Sequence, residues 1–576
     1  MMRSVQSVLR RFRLFGPVAL TLLLIAGGGF FAGSAGGAAS AADAVSAADA
    51  SATATATTSA VSCTAGTTVR PAAGPLCGID KDATRNYLGV PYAAAPVGDL
   101  RWRAPQPRTP WTSVFSAVRE GAACPQPAVD GEAPPAVMSE DCLNLDIQEP
   151  TTAAPGAKLP VIVDIHFGGF LLANPLDNSE IASNGHAVVV SINYRLGILG
   201  FLADKSLGAH SGDYGLQDQY MALRWVRQNI AAFGGDPENV TLEGSSAGGA
   251  SVCAAMASPE AKGLFQKGIS ESGFYNYNDD TIWWTADCKS DLPTEAQAQE
   301  LGASFAAKVG CGSSGDVAAC LRAVPEDTLV TAAGQLFTPT SGGAIGPIVN
   351  GTTLPVSPAQ AFATGRINQA SLVIGVARDE INGSIYQPSV LATTPAQYKA
   401  LLTQQFGDST AAVMARYPLA RYPDSSPLIA YRTVMADAFS VCPSLRAAAE
   451  LARHTTVFSY VFDDTDALSP NGGYPLGSPH SGQVVYLSPD FFEPPAVQFD
   501  PDQAAFRDQL VAQWSGFART GNPTVDGAPA WSPFRNTSGA TGGLVMDLAP
   551  AGDSVLTPAS VLAQQHNCGF WQQTNG

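Results

Sequence analysis

Short, nearly continuous apolar runs alternate along this chain with segments of helical periodicity. Val161-Ile-Val-Asp-Ile165 is bounded by Pro160 and the Gly168-Gly169 pair, and Ala187-Val-Val-Val-Ser-Ile-Asn193 follows it. Runs of that length with little polar alternation predict strands buried on both faces of a sheet. From about Asp218 to Phe233 the period changes, and Ala222, Trp225, Val226, Ile230 and Phe233 fall on one face of a helix. Gly234-Gly235-Asp236-Pro237 ends that helix and feeds a further strand, Asn239-Val-Thr-Leu-Glu243. Ser371-Leu-Val-Ile-Gly-Val376 and Val457-Phe-Ser-Tyr-Val-Phe462 are two more apolar runs. Strand, helix, strand in this order makes a parallel unit with a right-handed crossover, so the pattern predicts an α/β fold with a mostly parallel central sheet.

The first 62 residues break the pattern. Arg3, Arg10, Arg11 and Arg13 precede an apolar stretch from Leu14 to Phe31, and small residues follow, ending in Ala39-Ser40-Ala41. This layout predicts a cleaved secretory signal over residues 1–41. A membrane anchor is the alternative; the Gly27-Gly-Gly29 interruption and the lack of positive charge after the apolar run weigh against it. The Arg10-Arg11 pair leaves both general and twin-arginine export open. Residues 42–62 are almost all Ala, Ser and Thr, which bury too little apolar surface to offset their ordering entropy, so a disordered linker is expected there. No second linker interrupts residues 63–576, although length alone points to two domains.

Net charge is −17 and no Lys/Arg cluster lies beyond the leader, which argues against nucleic acid and anionic membranes as partners. The ten cysteines are even in number, and disulfides are the expectation for an exported chain. None forms C-x-x-C, and the six histidines include no H-E-x-x-H, so no metal site is expected.

The candidate chemistry centres on Gly244-Ser-Ser-Ala-Gly248, directly after the strand that ends near Glu243. A G-x-S-x-G pentapeptide between strand and helix is a nucleophile elbow, a turn so tight that only residues without bulk fit beside the serine. It would expose the Ser246 hydroxyl and aim the Ala247 amide at the oxygen of an attacked carbonyl. His166-Phe-Gly-Gly-Phe170 sits at the carboxyl end of an earlier strand, where bare glycine amides can approach a substrate oxygen; an ordinary Gly-rich loop is the equal alternative. A serine needs a base, and the base an orienting acid. Arg378-Asp379-Glu380 follows one apolar run and His480 lies beyond the next, so Ser246, Glu380 and His480 keep the order Ser, acid, His. Asp379 competes with Glu380 for the acid role and His454 with His480 for the base.

Further motifs give the chain a resemblance to a known family. Glu140-Asp-Cys-Leu-Asn-Leu145, Asn193-Tyr-Arg-Leu-Gly197, Phe233-Gly-Gly-Asp-Pro237 and Gly244-Ser-Ser-Ala-Gly-Gly249 resemble the type-B carboxylesterase/lipase family, which includes the cholinesterases. Gly89-Val-Pro-Tyr-Ala93 with Pro96-Val-Gly-Asp-Leu-Arg101, and Phe517-Ala-Arg-Thr-Gly-Asn-Pro523, resemble that family's terminal signatures. The resemblance covers residues 63–576 and implies one large α/β-hydrolase domain in place of two. It implies Ser246 as nucleophile, Glu380 as acid, His480 as base, an oxyanion hole from the amides of Gly168, Gly169 and Ala247, and Ser272 as a supporting residue. It implies disulfides Cys124–Cys142, Cys311–Cys320 and Cys442–Cys568, leaving Cys63 with Cys77 and Cys253 with Cys288 by elimination.

The function this implies is a secreted serine hydrolase that cleaves small carboxylic esters through an acyl-enzyme, with no metal or organic cofactor and no stable membrane anchor after signal cleavage. A lipase or steryl esterase working at lipid interfaces is one alternative, and a catalytically silent binding protein of the same fold is another; oligomeric state stays open. The chain departs from the family pattern at Ser245, where a glutamate is usual, at Phe167, in place of the first of three glycines, and at Ser481-Gly482 and Gln483 after the histidine. None of these touches the three implied catalytic side chains.

Overall fold

A computed structural model describes residues 62–128, 134–154, 156–273, 288, 292–336, 345–381, 394–465, 477–488, 499–535 and 542–574. The leader and linker expected over residues 1–62 lie, apart from Ser62, outside them. In chain order the strands are β1 (Leu76–Cys77), β2 (Ile79–Lys81), β3 (Thr84–Pro91), β4 (Phe115–Ser116), β5 (Asn144–Pro150), β6 (Leu159–Ile165), β7 (Val188–Ile192), β8 (Gly235–Ser245), β9 (Lys267–Glu271), β10 (Ser371–Ala377), β11 (Val457–Phe462), β12 (Leu544–Leu548) and β13 (Val555–Pro558). Strands β1 and β4 pair by themselves, and the rest form one sheet of 11 strands in the order β13-β12-β11-β10-β9-β8-β6-β7-β5-β3-β2. Pairing is parallel from β7 through β6, β8, β9, β10 and β11 to β12, and antiparallel toward both edges.

The absence of polar alternation in the central strands has a direct cause, because both faces of the sheet are covered. In β6, Val161, Val163 and Ile165 pack on one side with Leu216, Leu223 and Val226, while Ile162 packs on the other with Val189, Ile269, Val373, Leu510 and Trp514. Each fully buried aliphatic side chain contributes about 1.5–3 kcal/mol. The second face is roofed by the helix Pro501–Thr520, which opens on a capping box at Asp500 and Gln503 and closes on Gly521 in the left-handed conformation.

The helix before the elbow strand starts at Tyr214, earlier than the expected Asp218, and finishes in a 3-10 turn, Ile230–Phe233, stopped by Gly234 at φ 78°. The apolar period alone sets the expected start near Asp218. In the fold it is fully buried and accepts from Arg195 Nε at 2.7 Å, Nη2 at 2.8 Å and N at 3.1 Å, so its position in the helix interior serves an ion pair. Another early motif has the same origin. Arg101 grips Glu140 through Nε at 2.7 Å and also through Nη2, and its Nη1 donates to Val324 O at 2.7 Å.

Residues Ala60–Gly576 form one compact unit, so the shared core overrides the two-domain reading of length. Among the described residues no helix is long and apolar enough to cross a membrane. Five disulfides join Cys63–Cys77, Cys124–Cys142, Cys253–Cys288, Cys311–Cys320 and Cys442–Cys568. The last spans 126 residues and fastens the C-terminal segment to the start of the helix Cys442–Leu451. Closing so long a loop restricts the unfolded chain, so Cys442→Ser with Cys568→Ser should cost about 2–4 kcal/mol, read as a lower urea midpoint. Peptide mapping without reduction should recover these two cysteines linked; finding both as thiols would contradict the pairing.

Candidate active site

The site lies at the carboxyl ends of the parallel strands, where β8 turns into the helix Ala247–Ala257 through a single residue, Ser246, at φ 57° and ψ −121°. An L-residue adopts that conformation only under compulsion, and here backbone crowding compels it. A Cβ at Gly248 would lie 1.9 Å from Ile165 O, and one at Gly244 would lie 2.5 Å from Gly248 C. Only glycine lets strand, turn and helix approach so closely. Ser246 N donates to Glu271 O at 2.9 Å, fixing the turn to β9. Ala247 opens the helix, so its N–H is among the amides that have no acceptor within it.

Of the two adjacent serines, only Ser246 occupies the turn. Ser245 ends β8, and its Oγ lies 2.9 Å from Ser481 Oγ. Ser481 directly follows His480, so this bond links the neighbours of Ser246 and His480.

Strand β10 delivers Glu380 in the turn after Ala377. The carboxyl is buried, with 1% of the residue exposed, and one oxygen accepts from Ala377 N at 2.7 Å and Ser272 Oγ at 3.1 Å. The other oxygen meets His480 Nδ1, and His480 N donates to Glu380 O at 3.1 Å. A carboxylate on Nδ1 makes that nitrogen the protonated one in the neutral ring and leaves Nε2 as the basic one. Ser272, itself at φ 47°, therefore supports the acid from behind.

The competing candidates go elsewhere. Asp379 accepts from Ser478 N at 3.1 Å and packs under Gly477, whose Cβ would fall 2.2 Å from its Oδ2, so it braces the loop that carries His480. His454 sits against Gly365 at the end of the helix Pro358–Thr364. His210 Nδ1 is 2.6 Å from Asn350 O, His566 Nδ1 is 2.6 Å from Asp437 Oδ1, and His186 caps the helix Ser179–Gly185.

The Gly-rich loop follows β6. Gly168 and Gly169 take φ 94° and 62°, and a Cβ on Gly168 would lie 2.0 Å from Leu172 O. His166 begins the loop with Nδ1 2.9 Å from Phe167 O and its ring stacked on Tyr194 at 4.4 Å, while Tyr194 Oη donates to His166 O at 3.2 Å. Burial pushes the His166 imidazole down to about 4, so it stays neutral and adds no charge beside the loop. Gln126, close to the Cys124–Cys142 disulfide, clamps the far end of the loop through Ala173, accepting from its N at 2.9 Å and donating to its O at 3.1 Å.

Sequence reading overlooked a floor of three carboxyls beneath the elbow. Asp164 and Glu243 are direct partners across β6 and β8, and Glu271 is the register partner of Ser245 across β8 and β9. All three are buried, and a small cavity lined also by His166 and Ser245 lies between them. Asp164 accepts from Asn178 Nδ2 at 3.0 Å, and Glu271 from Trp514 Nε1 at 2.7 Å and Gln483 Nε2 at 3.2 Å. Burial outweighs these neutral donors, pushing Asp164 up to about 6, Glu271 up to about 7 and Glu243 well above the usual carboxylate range. The available signal was acidic residues inside apolar strands, at Asp164 and Glu243.

The comparisons with known proteins bear on most of the chain. A model of the carboxylesterase family matches residues 65–571. The chain is 34% identical over 491 residues to para-nitrobenzyl esterase of Bacillus subtilis (strain 168), covering 82% of this chain and 93% of that protein. It is 34% identical over 484 residues to phenmedipham hydrolase of Pseudarthrobacter oxydans, covering 80% and 92%. A solved PNB esterase superposes with a TM-score of 0.70 at 29% identity, covering 87% of this chain and 99% of that one.

The floor generates a prediction about stability. The folded-state value of Glu271 is raised from 4.5 to about 7, so the native state holds a proton that the unfolded chain releases between those values. The stability from this group is complete below its unfolded value and is lost as pH rises through about 7. Glu271→Gln removes the titration, and Gln483, whose Oε1 is buried without a partner among the described residues, can flip to accept from the new amide. The variant should match the parent near pH 5 and exceed it near pH 8 by on the order of 1–3 kcal/mol, a gain visible in melting curves. A benefit equal at both values, or one confined to acid, would contradict the assignment.

Proposed function

The chain belongs to the carboxylesterase family and is a carboxylic ester hydrolase, and on that premise we propose that Ser246, His480 and Glu380 carry the reaction through an acyl-enzyme. Ser246 Oγ attacks the ester carbonyl carbon while His480 Nε2 takes its proton. Glu380 holds the ring through Nδ1 and stabilises the imidazolium that forms. The carbonyl oxygen gains the charge, and the amides of Gly168, Gly169 and Ala247 receive it. When the tetrahedral intermediate collapses, the carbon–oxygen bond to the alcohol breaks and the Nε2 proton passes to the leaving alkoxide. Water then attacks the acyl group with Nε2 again as base, releasing the acid and restoring Ser246. Every step uses groups of this chain and water.

The observation that carries this reading is the junction of Glu380 and His480 beside the elbow. Small-molecule carboxylic esters are the proposed substrates. We further propose that the protein is secreted, with residues 1–41 removed as a signal, residues 42–62 as a linker and residues 63–576 as the catalytic domain. The leader pattern and the five disulfides support export.

Replacing Ser246 with Ala should lower kcat on a neutral p-nitrophenyl ester by roughly 10⁴-fold or more. Glu380→Gln should cost on the order of 10⁴-fold, because it spoils the tautomer while preserving shape, whereas Asp379→Asn should cost far less. The reverse ranking of the two acid variants would move the acid role to Asp379, and unchanged activity without the Ser246 hydroxyl would remove the serine mechanism.

A further inference from the structure

We propose that Ser245 and Ser481 form a hydroxyl clamp that keeps His480 aligned with Ser246, which makes both of them positioning residues; this rests on the catalytic roles proposed above. The two hydroxyls are 2.9 Å apart although their residues are 236 positions apart in the chain. One belongs to the residue before the elbow serine and the other to the residue after the histidine. Both residues are buried, so breaking the bond strands hydroxyls away from water, which keeps it closed.

The two sides of the clamp differ in how firmly the rest of the fold holds them. Ser246 is fixed by β8, by the bond from its N to Glu271 O and by the glycine contacts around it. His480 lies in a turn between Gly477 and the short helix Val484–Leu487, and its side chain is 26% exposed, so packing alone does not hold the ring. Ser481 also stands at φ 59°, a conformation that a non-glycine residue holds only when neighbours impose it.

A second tie acts on the same turn. Gln483 donates to Glu271 at 3.2 Å, and Glu271 is the register partner of Ser245. Ser245 and Glu271 thus form two adjacent anchor points on the sheet that hold Ser481 and Gln483, two residues apart on the histidine turn. Proton transfer between Ser246 and His480 is sensitive to misplacement on the order of 1 Å, which is the slack that the clamp removes.

The test compares Ser245→Ala, Ser481→Ala and the double variant in the full mature chain, with Ser481→Gly as a conformational control. Hydrolysis of a neutral p-nitrophenyl ester is measured alongside thermal melting, and sites are counted by exhaustive titration with a fluorophosphonate. Each single Ala variant should lower kcat per titrated site by roughly 5- to 20-fold, the effect of one hydrogen bond, with KM changed less than about twofold. The double variant should fall within about twofold of the worse single, because both hydroxyls act through one bond. Ser481→Gly relaxes the positive φ yet lacks the hydroxyl, so it should lose as much as Ser481→Ala. Unchanged kcat per titrated site in the single variants, multiplied losses in the double, full activity in Ser481→Gly, or losses confined to melting temperature or site number would each overturn the clamp. The Ser246→Ala control run beside them distinguishes a failure of the clamp, in which that control is inactive, from a failure of the underlying mechanism, in which it is not.

Discussion

The close passage of backbone over backbone at the elbow is the constraint on which the rest of the site depends. Ile165 O, Gly248 and Glu271 O converge where a single methyl group at Gly244, Gly248 or Gly249 has no room, and this forces Ser246 to φ 57°. The same convergence brings three strands into contact at their carboxyl ends. Strand β6 contributes the Gly168–Gly169 loop, β8 contributes Ser246 and β9 contributes Ser272. Strand β10 joins at the next register through Ser272 N and Gly375 O, 2.7 Å apart, and so places Glu380 behind His480. The arrangement proposed for catalysis is a consequence of which strands are neighbours.

That crowding raises an electrostatic problem, because the elbow rests on Asp164, Glu243 and Glu271. Three ionised carboxylates in a buried floor would repel one another and oppose the negative charge that the proposed mechanism develops on the carbonyl oxygen. Burial answers this by favouring their protonated forms, and His166 at the start of the Gly168–Gly169 loop is likewise held neutral. The floor also keeps a structural task through Trp514 and Gln483, which tie the roof helix and the histidine turn to the sheet.

Much of the fold was legible because burial on both faces writes itself as unbroken apolar runs. The runs at Val161, Ala187, Ser371 and Val457 became β6, β7, β10 and β11, the last with the expected bounds and the others shifted by at most two residues. Helix starts were harder. The apolar period alone puts the start near Asp218, and only the fold reveals Arg195 as that residue's partner. At the site, G-x-S-x-G announces itself because its chemistry and its steric demand lie within five residues. The choice between Glu380 and Asp379 could not be read locally, since both follow the same strand; the 100 residues that separate Glu380 from His480 are closed by the pairing of β10 with β11. The Ser245–Ser481 contact left no local trace at all, because two ordinary serines become a pair only in the folded chain.

The central claim, that the elbow makes Ser246 the nucleophile, is tested most directly by trapping the covalent intermediate. The enzyme is mixed with excess p-nitrophenyl acetate, quenched in acid during turnover, digested and mapped by mass spectrometry. The account predicts one acetyl group per active chain, carried on the peptide of β8 and its following helix and localised by fragmentation to Ser246. An acetyl group on Ser245 or on any other residue, or rapid turnover with no acetylated chain at any quench time, would contradict it.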